Sequence, residues 1–202
     1  LAGMAFAALA GLVVGIPSLR LKGDYLAIVT LGFNEIIRVV IENMRWLGGA
    51  TGISSVPPYT TLVWVGLGAL ATVLMARRLV QSSHGRALLA IREDEIAAEA
   101  MGVDTTRYKV LAFVLSAAFA GLGGGLIGHY ILLVTPKSFT FVRSMEVVVM
   151  VVLGGMGSIT GSIFAATFLT VLLEWLRGVQ EYRMVLYSLL LVILMLARPE
   201  GV

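Results

Sequence analysis

Residues 110–136 read VLAFVLSAAFAGLGGGLIGHYILLVTP, and no Asp, Glu, Lys or Arg interrupts the stretch. A helix that crosses a bilayer needs roughly 20 consecutive apolar residues, so this stretch is long enough to span one. Further stretches without a charged side chain occupy residues 1–19, 46–76 and 147–173. Together they predict an all-α fold, a polytopic transmembrane helical bundle.

The composition points to the same class of protein. Hydrophobic residues make up 58% of the chain and charged residues 13%, whereas soluble domains average about 45–50% and about 25%. A water-soluble enzyme, a disordered chain and a nucleic-acid-binding protein all need more charge. The chain has no cysteine, which excludes thiolate metal sites, and its two histidines, His84 and His129, are too far apart in sequence to predict a metal site.

The pattern of apolar runs predicts where the helices lie. The predicted helices cover residues 1–16, 25–44, 62–79, 108–134, 139–153, 162–176 and 184–197. Leu1 begins within an apolar run without an initiator methionine, and the chain stops abruptly at Val202. We therefore interpret residues 1–202 as a single transmembrane domain, clipped at both ends from a longer chain.

The distribution of Lys and Arg predicts the orientation, because cytoplasmic loops carry the excess of these residues. The segment 77–109 is rich in them and the loop 47–61 has none, which places the first segment inside and the second outside. For the second half, the counts leave open whether residues 139–153 cross the membrane or re-enter it.

The hydrophilic loop 80–107 is predicted to contain a short amphipathic helix over residues 92–102. Its acidic residues suit the positive N-terminal end of a helix, Gly102 suits a C-terminal cap, and Thr105 or Thr106 could cap the next helix. One interpretation is a solvated connector. The other is a docking helix whose polar rim is acidic and whose Ile96, Ala97, Ala98 and Met101 are buried by a cytoplasmic partner. The acidic residues of this rim are Glu93, Asp94 and Glu95.

Other polar and small residues favour structural roles. Glu35, Arg38 and Glu42 share one helix face, and a charged face points into a bundle or into water rather than lipid. Arg143 and Glu146 are spaced to pair with each other. His129 is interpreted as a satisfied core or interface residue. Small residues at spacings of four allow helix backbones to approach closely; these are Ala117, Gly121 and Gly125, and the pair Gly124 and Gly128.

Four stretches carry a family resemblance. Ala97-Ala98-x-x-x-Gly102 resembles the EAA loop of ABC importer permeases. The stretches LRLKGDYLAIVTLGFNEIIR at 19–38, GRALLAIREDEIAA at 85–98 and GGMGSITG at 154–161 resemble the permeases of branched-chain amino acid ABC importers, most closely the LivM-type subunit. The resemblance runs in the family's order from about residue 16 to 200.

The resemblance implies a non-catalytic permease in the inner membrane of a prokaryote. Its partners would be a second homologous permease, two cytoplasmic ATP-binding subunits, an extracytoplasmic substrate-binding protein and the lipid bilayer, with no nucleic acid. ATP would be bound by the partner subunits, and this chain would hold no cofactor. The loop helix would couple to the ATPase through Arg92, Glu93, Asp94, Glu95, Ala97, Ala98 and Gly102.

The glycine-rich stretch 154–161 interrupts an apolar region. Non-helical backbone at membrane depth persists only where protein buries it or where it lines a cavity, so one interpretation places it on the translocation path. The other is a tight turn at the membrane surface. The residues assigned to the path are Gly154, Gly155, Gly157, Ser158 and Thr160.

Several alternative functions remain open at the level of sequence. A permease for urea or short-chain amides is a close relative of the favoured family. A gradient-driven transporter would need intramembrane carboxylates, for which Glu35 and Glu146 are the candidates. An intramembrane enzyme is disfavoured, because neither a Gly-x-x-x-x-Gly-Lys nor a Gly-x-Ser-x-Gly motif occurs.

Overall fold

A computed structural model describes residues 1–21, 24–53 and 56–175. The helices are α1 (Ala2–Ser18), α2 (Asp24–Asn43), α3 (Leu62–Gln81), α4 (Ser83–Glu93), α5 (Glu95–Ala100), α6 (Thr105–Ile131), α7 (Phe141–Leu153) and α8 (Ile159–Trp175), with 3₁₀ turns at Arg45–Leu47, Gly49–Thr51 and Pro136–Ser138. The described part of the chain contains no β-strand and one isolated bridge, Ile53 to Val134. The predicted all-α fold is confirmed, and the helix predicted over 184–197 lies outside the described residues.

The chain is divided into two compact units, residues 1–139 and residues 140–202. Within the described residues, two helices are long and apolar enough to cross a membrane, α3 and α6, and α1 and the stretch 159–172 are shorter apolar helices. None of the residues of α3 is buried, so its apolar surface is left open by the described part of the chain. The interpretation of residues 1–202 as a single domain stays a prediction.

Helix α1 packs against α6 through small residues on both helices. A methyl group added at Gly121 would lie 2.4 Å from Cβ of Ala7 and 2.5 Å from the carbonyl oxygen of Gly3, and one added at Gly11 would lie 2.6 Å from Cβ of Ala117. The two backbones therefore approach as closely as glycine allows, as in other small-residue helix pairs. This confirms the packing role predicted for Ala117 and Gly121.

The other small residues of α6 behave differently. Cβ atoms added at Gly124 or Gly125 would meet no atom within 4 Å in the described part of the chain, whereas one at Gly128 would lie 3.2 Å from a methyl group of Val134. The packing prediction therefore holds for Gly128, whose partner Val134 lies in a loop. For Gly124 and Gly125, the described part of the chain provides no packing partner.

The loop predicted over 80–107 is mostly helical. Helix α3 continues to Gln81, and Ser82 then starts α4 by accepting a hydrogen bond from the N–H of Gly85. Helix α6 begins at Thr105, and its cap is Asp104, whose carboxylate accepts from the N–H of Arg107 at 3.0 Å. The prediction of Thr105 or Thr106 as the cap is wrong, because Asp104 occupies the residue before the helix and caps as well as Thr.

The end of α6 also differs from the prediction. The helix stops at Ile131, where Leu132 adopts a left-handed conformation with φ of 66° and donates its N–H to the carbonyl of Gly128. Pro136 lies beyond this end and begins the 3₁₀ turn Pro136–Ser138. A left-handed residue closes the last helical turn, so the helix ends several residues before the proline.

In the second unit, α7 and α8 pack on each other. Their buried contact is formed by Leu153, Ala165 and Leu169, and the partly buried Val149, Met150 and Leu172 surround it. All of these residues are apolar, so this contact needs no polar pairing. The two helices are joined by the glycine-rich stretch 154–161.

A candidate coupling segment and two polar sites

The segment predicted as one helix over 92–102 is divided at Asp94. The backbone of Asp94 is extended, with φ of −155° and ψ of 110°, and its carboxylate accepts from the N–H groups of Ile96 at 2.9 Å and Ala97 at 3.0 Å. An aspartate that satisfies the first free N–H groups starts a new helix. The prediction of a continuous helix is therefore wrong: Arg92 and Glu93 end α4, and α5 starts at Glu95.

The other end of α5 is closed by Gly102, as predicted. Gly102 has a φ of 84°. Its N–H donates to the carbonyl oxygen of Glu99 at 2.9 Å, and the N–H of Val103 donates to the carbonyl oxygen of Ala98 at 3.1 Å. This left-handed residue favours glycine. Asp94 and Gly102 thus fix both ends of a helix that is only six residues long.

One side of α5 is attached to the rest of the chain. The ammonium group of Lys109 on α6 lies 2.6 Å from the carboxylate of Glu95, and both side chains are about three-quarters buried. Ala98 is 5% exposed. Its burial contradicts the expectation that Ala98 lies on a surface left for a partner, because atoms of this chain already cover it.

The opposite side of α5 is free and apolar. Ile96 is 77% exposed and Met101 is 85% exposed, and Ala97 and Ala100 are exposed beside them. These four residues are spaced i, i+1, i+4 and i+5, so they form one continuous helical face, which we call the free face. Arg92 and Glu93, which pair with each other, are exposed at the end of α4.

The acidic and basic residues of α2 form one ionic cluster. Arg38 donates from Nε to the carboxylate of Glu35 at 3.1 Å and from Nη1 to Oε2 of Glu42 at 3.0 Å. The predicted common face is confirmed. In the second unit, Arg143 pairs with Glu146 as predicted. Each carboxylate named as a candidate ion-coupling group is therefore bound to an arginine.

The glycine-rich stretch is a tight turn between α7 and α8. Gly155 and Gly157 have φ values of 85° and 100°, and a methyl group added at Gly161 would lie 1.8 Å from the carbonyl oxygen of Gly154. The hydroxyl of Ser158 accepts from the N–H of Gly161 at 3.0 Å. The predicted break between two helices is confirmed.

The residues assigned to the path divide by exposure. Gly154 and Gly155 are buried, and Gly157, Ser158 and Thr160 are exposed. The hydroxyl groups of Ser158 and Thr160 lie 3.3 Å apart. A place for this turn on the translocation path stays a prediction.

The histidines have protein partners. Nδ1 of His129 lies 2.9 Å from the carbonyl oxygen of Pro57, and its ring packs against Tyr59 with centroids 5.8 Å apart, which supports its interpretation as a satisfied residue. The ring of His84 lies 6.0 Å from that of Tyr108. Among the described residues, no three His, Cys, Asp or Glu side chains are grouped so that they could hold a metal ion.

Sequence reasoning missed two features of the segment around α5. It missed α4, whose charged and small residues weaken the apolar signal, although Ser82 is of a residue type that commonly starts a helix. It also missed the contact between Glu95 and Lys109, which are 14 positions apart and meet only because the chain turns back at Gly102.

Comparison with known proteins identifies the family. The model of the family described as branched-chain amino acid transport system / permease component matches residues 1–197. The high-affinity branched-chain amino acid transport system permease protein LivM of Salmonella typhimurium is 41% identical, with 100% of this chain and 55% of the relative covered. LivM of Escherichia coli is 40% identical, with 96% of this chain and 54% of that protein covered.

A second type of subunit matches at greater distance. The permease protein LivH of Salmonella typhimurium is 29% identical, with 86% of this chain and 57% of the relative covered. No solved structure matches the chain. The chain spans about half the length of the curated relatives it matches. It belongs to the family of branched-chain amino acid ABC transport permeases, helical membrane proteins, and is of the LivM type.

Proposed function

We propose that this chain is the transport-path subunit of an ABC importer for branched-chain amino acids. It pairs with a second, homologous permease of the LivH type in the inner membrane of a prokaryote. Two cytoplasmic ATPases bind and hydrolyse ATP, and an extracytoplasmic binding protein delivers the substrate. The names of the relatives and the apolar helices α3 and α6 support this assignment.

The free face of α5 is the observation that carries the coupling role. A six-residue helix that carries exposed Ile96 and is followed directly by exposed Met101 gains little from forming alone, because isolated helices of this length are unstable in water. Its fixed ends and its attachment to α6 present those apolar side chains to a partner. We assign that partner as the cleft of a cytoplasmic ATPase, with Arg92 and Glu93 at the rim and Ala97 within the contact.

The attachment of α5 gives a route for movement. When the ATPases close, α5 moves with them, and the ion pair between Glu95 and Lys109 pulls on the base of α6. The buried Ala98 keeps α5 seated on its own chain. Asp94 and Gly102 stop the segment from unravelling, so the displacement reaches α6 and, through α4, the end of α3.

The turn at 154–161 is proposed as part of the path. Apolar helices flank it on both sides, and its tight backbone leaves the hydroxyl groups of Ser158 and Thr160 exposed. Buried Gly154 and Gly155, with Gly157, allow the chain to reverse there without bulky side chains. Exposed hydroxyls between apolar helices can bind the polar end of an amino acid as it passes.

The coupling role is tested by substitution on the free face. The complete importer is reconstituted in vesicles, and leucine uptake and ATP hydrolysis are measured together. We expect Ile96→Arg to abolish the uptake gained per ATP hydrolysed, because a charged side chain cannot enter an apolar contact without a large cost. The control Ile96→Leu keeps an apolar side chain of the same size and should transport normally. Full leucine uptake by the arginine variant contradicts the proposed coupling role. If the unmodified importer takes up urea in place of leucine, the substrate assignment changes to urea.

A further inference from the structure

A cavity of about 380 Å³ lies beside the C-terminal half of α2 in the first unit. Ile53 and Val134 both line it, and their backbones are joined by two hydrogen bonds of 2.9 and 3.1 Å. Its size is at the lower end of the range for small-molecule sites. Most of its lining is aliphatic or aromatic, and two polar residues, Asn34 and Arg38, contribute to it; the apolar lining is Ile37, Ile41, Ile53, Val134, Pro136 and Phe139.

Asn34 supplies an unexplained polar group at this cavity. Its side-chain nitrogen is shielded from solvent and has no hydrogen-bond partner among the described residues. A buried donor without an acceptor is uncommon in native structures and calls for an explanation. The terminal torsion of an asparagine side chain is soft, so a turn of the amide presents its N–H groups to a molecule in the cavity.

Arg38 brings a charged cluster to the same place. It lies one helical turn after Asn34, and its guanidinium is held by Glu35 and Glu42. One arginine between two carboxylates leaves one negative charge in excess. The site therefore combines an amide donor, an apolar chamber and two carboxylates held by one arginine.

We propose that this cavity holds one aliphatic amino acid as a zwitterion during transport, an inference that rests on the proposed function. The amide of Asn34 donates to the substrate carboxylate, and the surplus charge of the Glu35–Arg38–Glu42 cluster balances the substrate ammonium group. The branched side chain lies against Ile37, Ile41 and Ile53. The charge distribution places this end of α2 on the outer side, where a binding protein would release its ligand.

The first test uses the absence of cysteine from this chain. In the assembled importer, Ile53→Cys is labelled with a membrane-impermeant maleimide. We expect leucine at saturation to slow the labelling severalfold and lysine, whose side chain is charged, to leave it unchanged. Tyr59→Cys, in the outer loop and away from the cavity lining, is the control and should be indifferent to both amino acids. If leucine does not change the labelling rate of Ile53→Cys, the inference is overturned.

The second test removes the amide donors. Loss of a hydrogen bond to a charged group lowers binding affinity by about tenfold or more. Asn34→Leu should therefore lower leucine uptake by about that factor. The binding protein should still stimulate ATP hydrolysis in this variant. Asn43→Leu is the matched control, because the amide of Asn43 bonds to the backbone of its own helix at 2.8 Å. Normal uptake by Asn34→Leu overturns the cavity assignment and leaves the permease function standing. If the unmodified importer moves no leucine, it is the proposed function that fails.

Discussion

The contact between α1 and α6 and the segment around α5 differ in how much of their apolar surface this chain covers. In the first, Gly121 meets Ala7 and Gly3 so closely that no side-chain atom can be added, and the apolar surface is satisfied inside the chain. In the second, Ile96 and Met101 are left exposed although the helix that carries them is firmly fixed at both ends. Small residues therefore mark packing within this subunit, whereas exposed large residues on a short fixed helix mark a surface for another subunit.

The largest predicted effect is on the packed region. Gly121→Ala adds a carbon 2.4 Å from Cβ of Ala7, and overpacking of this kind costs about 1–3 kcal/mol. Gly124→Ala, three residues along the same helix, adds a carbon with no described neighbour within 4 Å. In thermal unfolding of the isolated subunit in detergent, the first variant should melt lower than the original chain and the second should not. Equal melting temperatures for the two variants would show that α1 and α6 do not pack in this way.

A smaller effect is expected at the start of α5. Asp94→Ala removes the acceptor for two N–H groups, and loss of such a cap costs about 1 kcal/mol. Hydrogen exchange at the amides of Ile96 and Ala97 should become faster, and less leucine should be taken up per ATP hydrolysed. Asp94→Asn, which caps equally well, should keep both near their original values. Unchanged exchange in the alanine variant would mean that the cap does not hold the helix.

The smallest effect is expected at the attachment to α6. The ion pair between Glu95 and Lys109 is partly exposed, so a double-mutant cycle in the isolated subunit should give a coupling energy of about 0.5 kcal/mol. Transport should be affected more than stability, because the pair lies on the proposed route of movement. Glu95→Lys alone should impair coupling, and the exchanged pair Glu95→Lys with Lys109→Glu should recover part of it. No recovery in the exchanged pair would remove the ion pair from the route.

Apolar runs and helix signals made much of the fold predictable. A long charge-free stretch has one stable form in a membrane, so α3 and α6 follow from composition, and the turn at 154–161 follows from its four glycines. The same physics predicted that Glu35, Arg38 and Glu42 share one helix face, and on that face Arg38 pairs with both carboxylates. These features depend on residues that are near each other in sequence.

The features that were mispredicted depend on competition or on distant contacts. Residues 92–102 were predicted as one helix because their periodicity is continuous, but the carboxylate of Asp94 competes for the backbone N–H groups and breaks it. The docking hypothesis placed Ala98 in the partner contact together with Ile96 and Met101. Only the folding of α5 onto the chain decides which side of the helix is covered, and it covers Ala98. The cavity beside Asn34 is lined by two parts of the chain that are about 100 residues apart in sequence. No local sequence pattern predicts such a cavity.

The central claim is that the free face of α5 contacts the ATPase. The most direct measurement places a photo-crosslinking residue at Ile96, at Met101 or, as a control, at Trp64, an exposed residue at the far end of α3, in the intact importer. Crosslinking from Ile96 and Met101 should capture the ATPase subunit and should change in yield when ATP binds, and Trp64 should capture none. ATPase captured equally from all three positions, or from neither position on α5, would contradict the account.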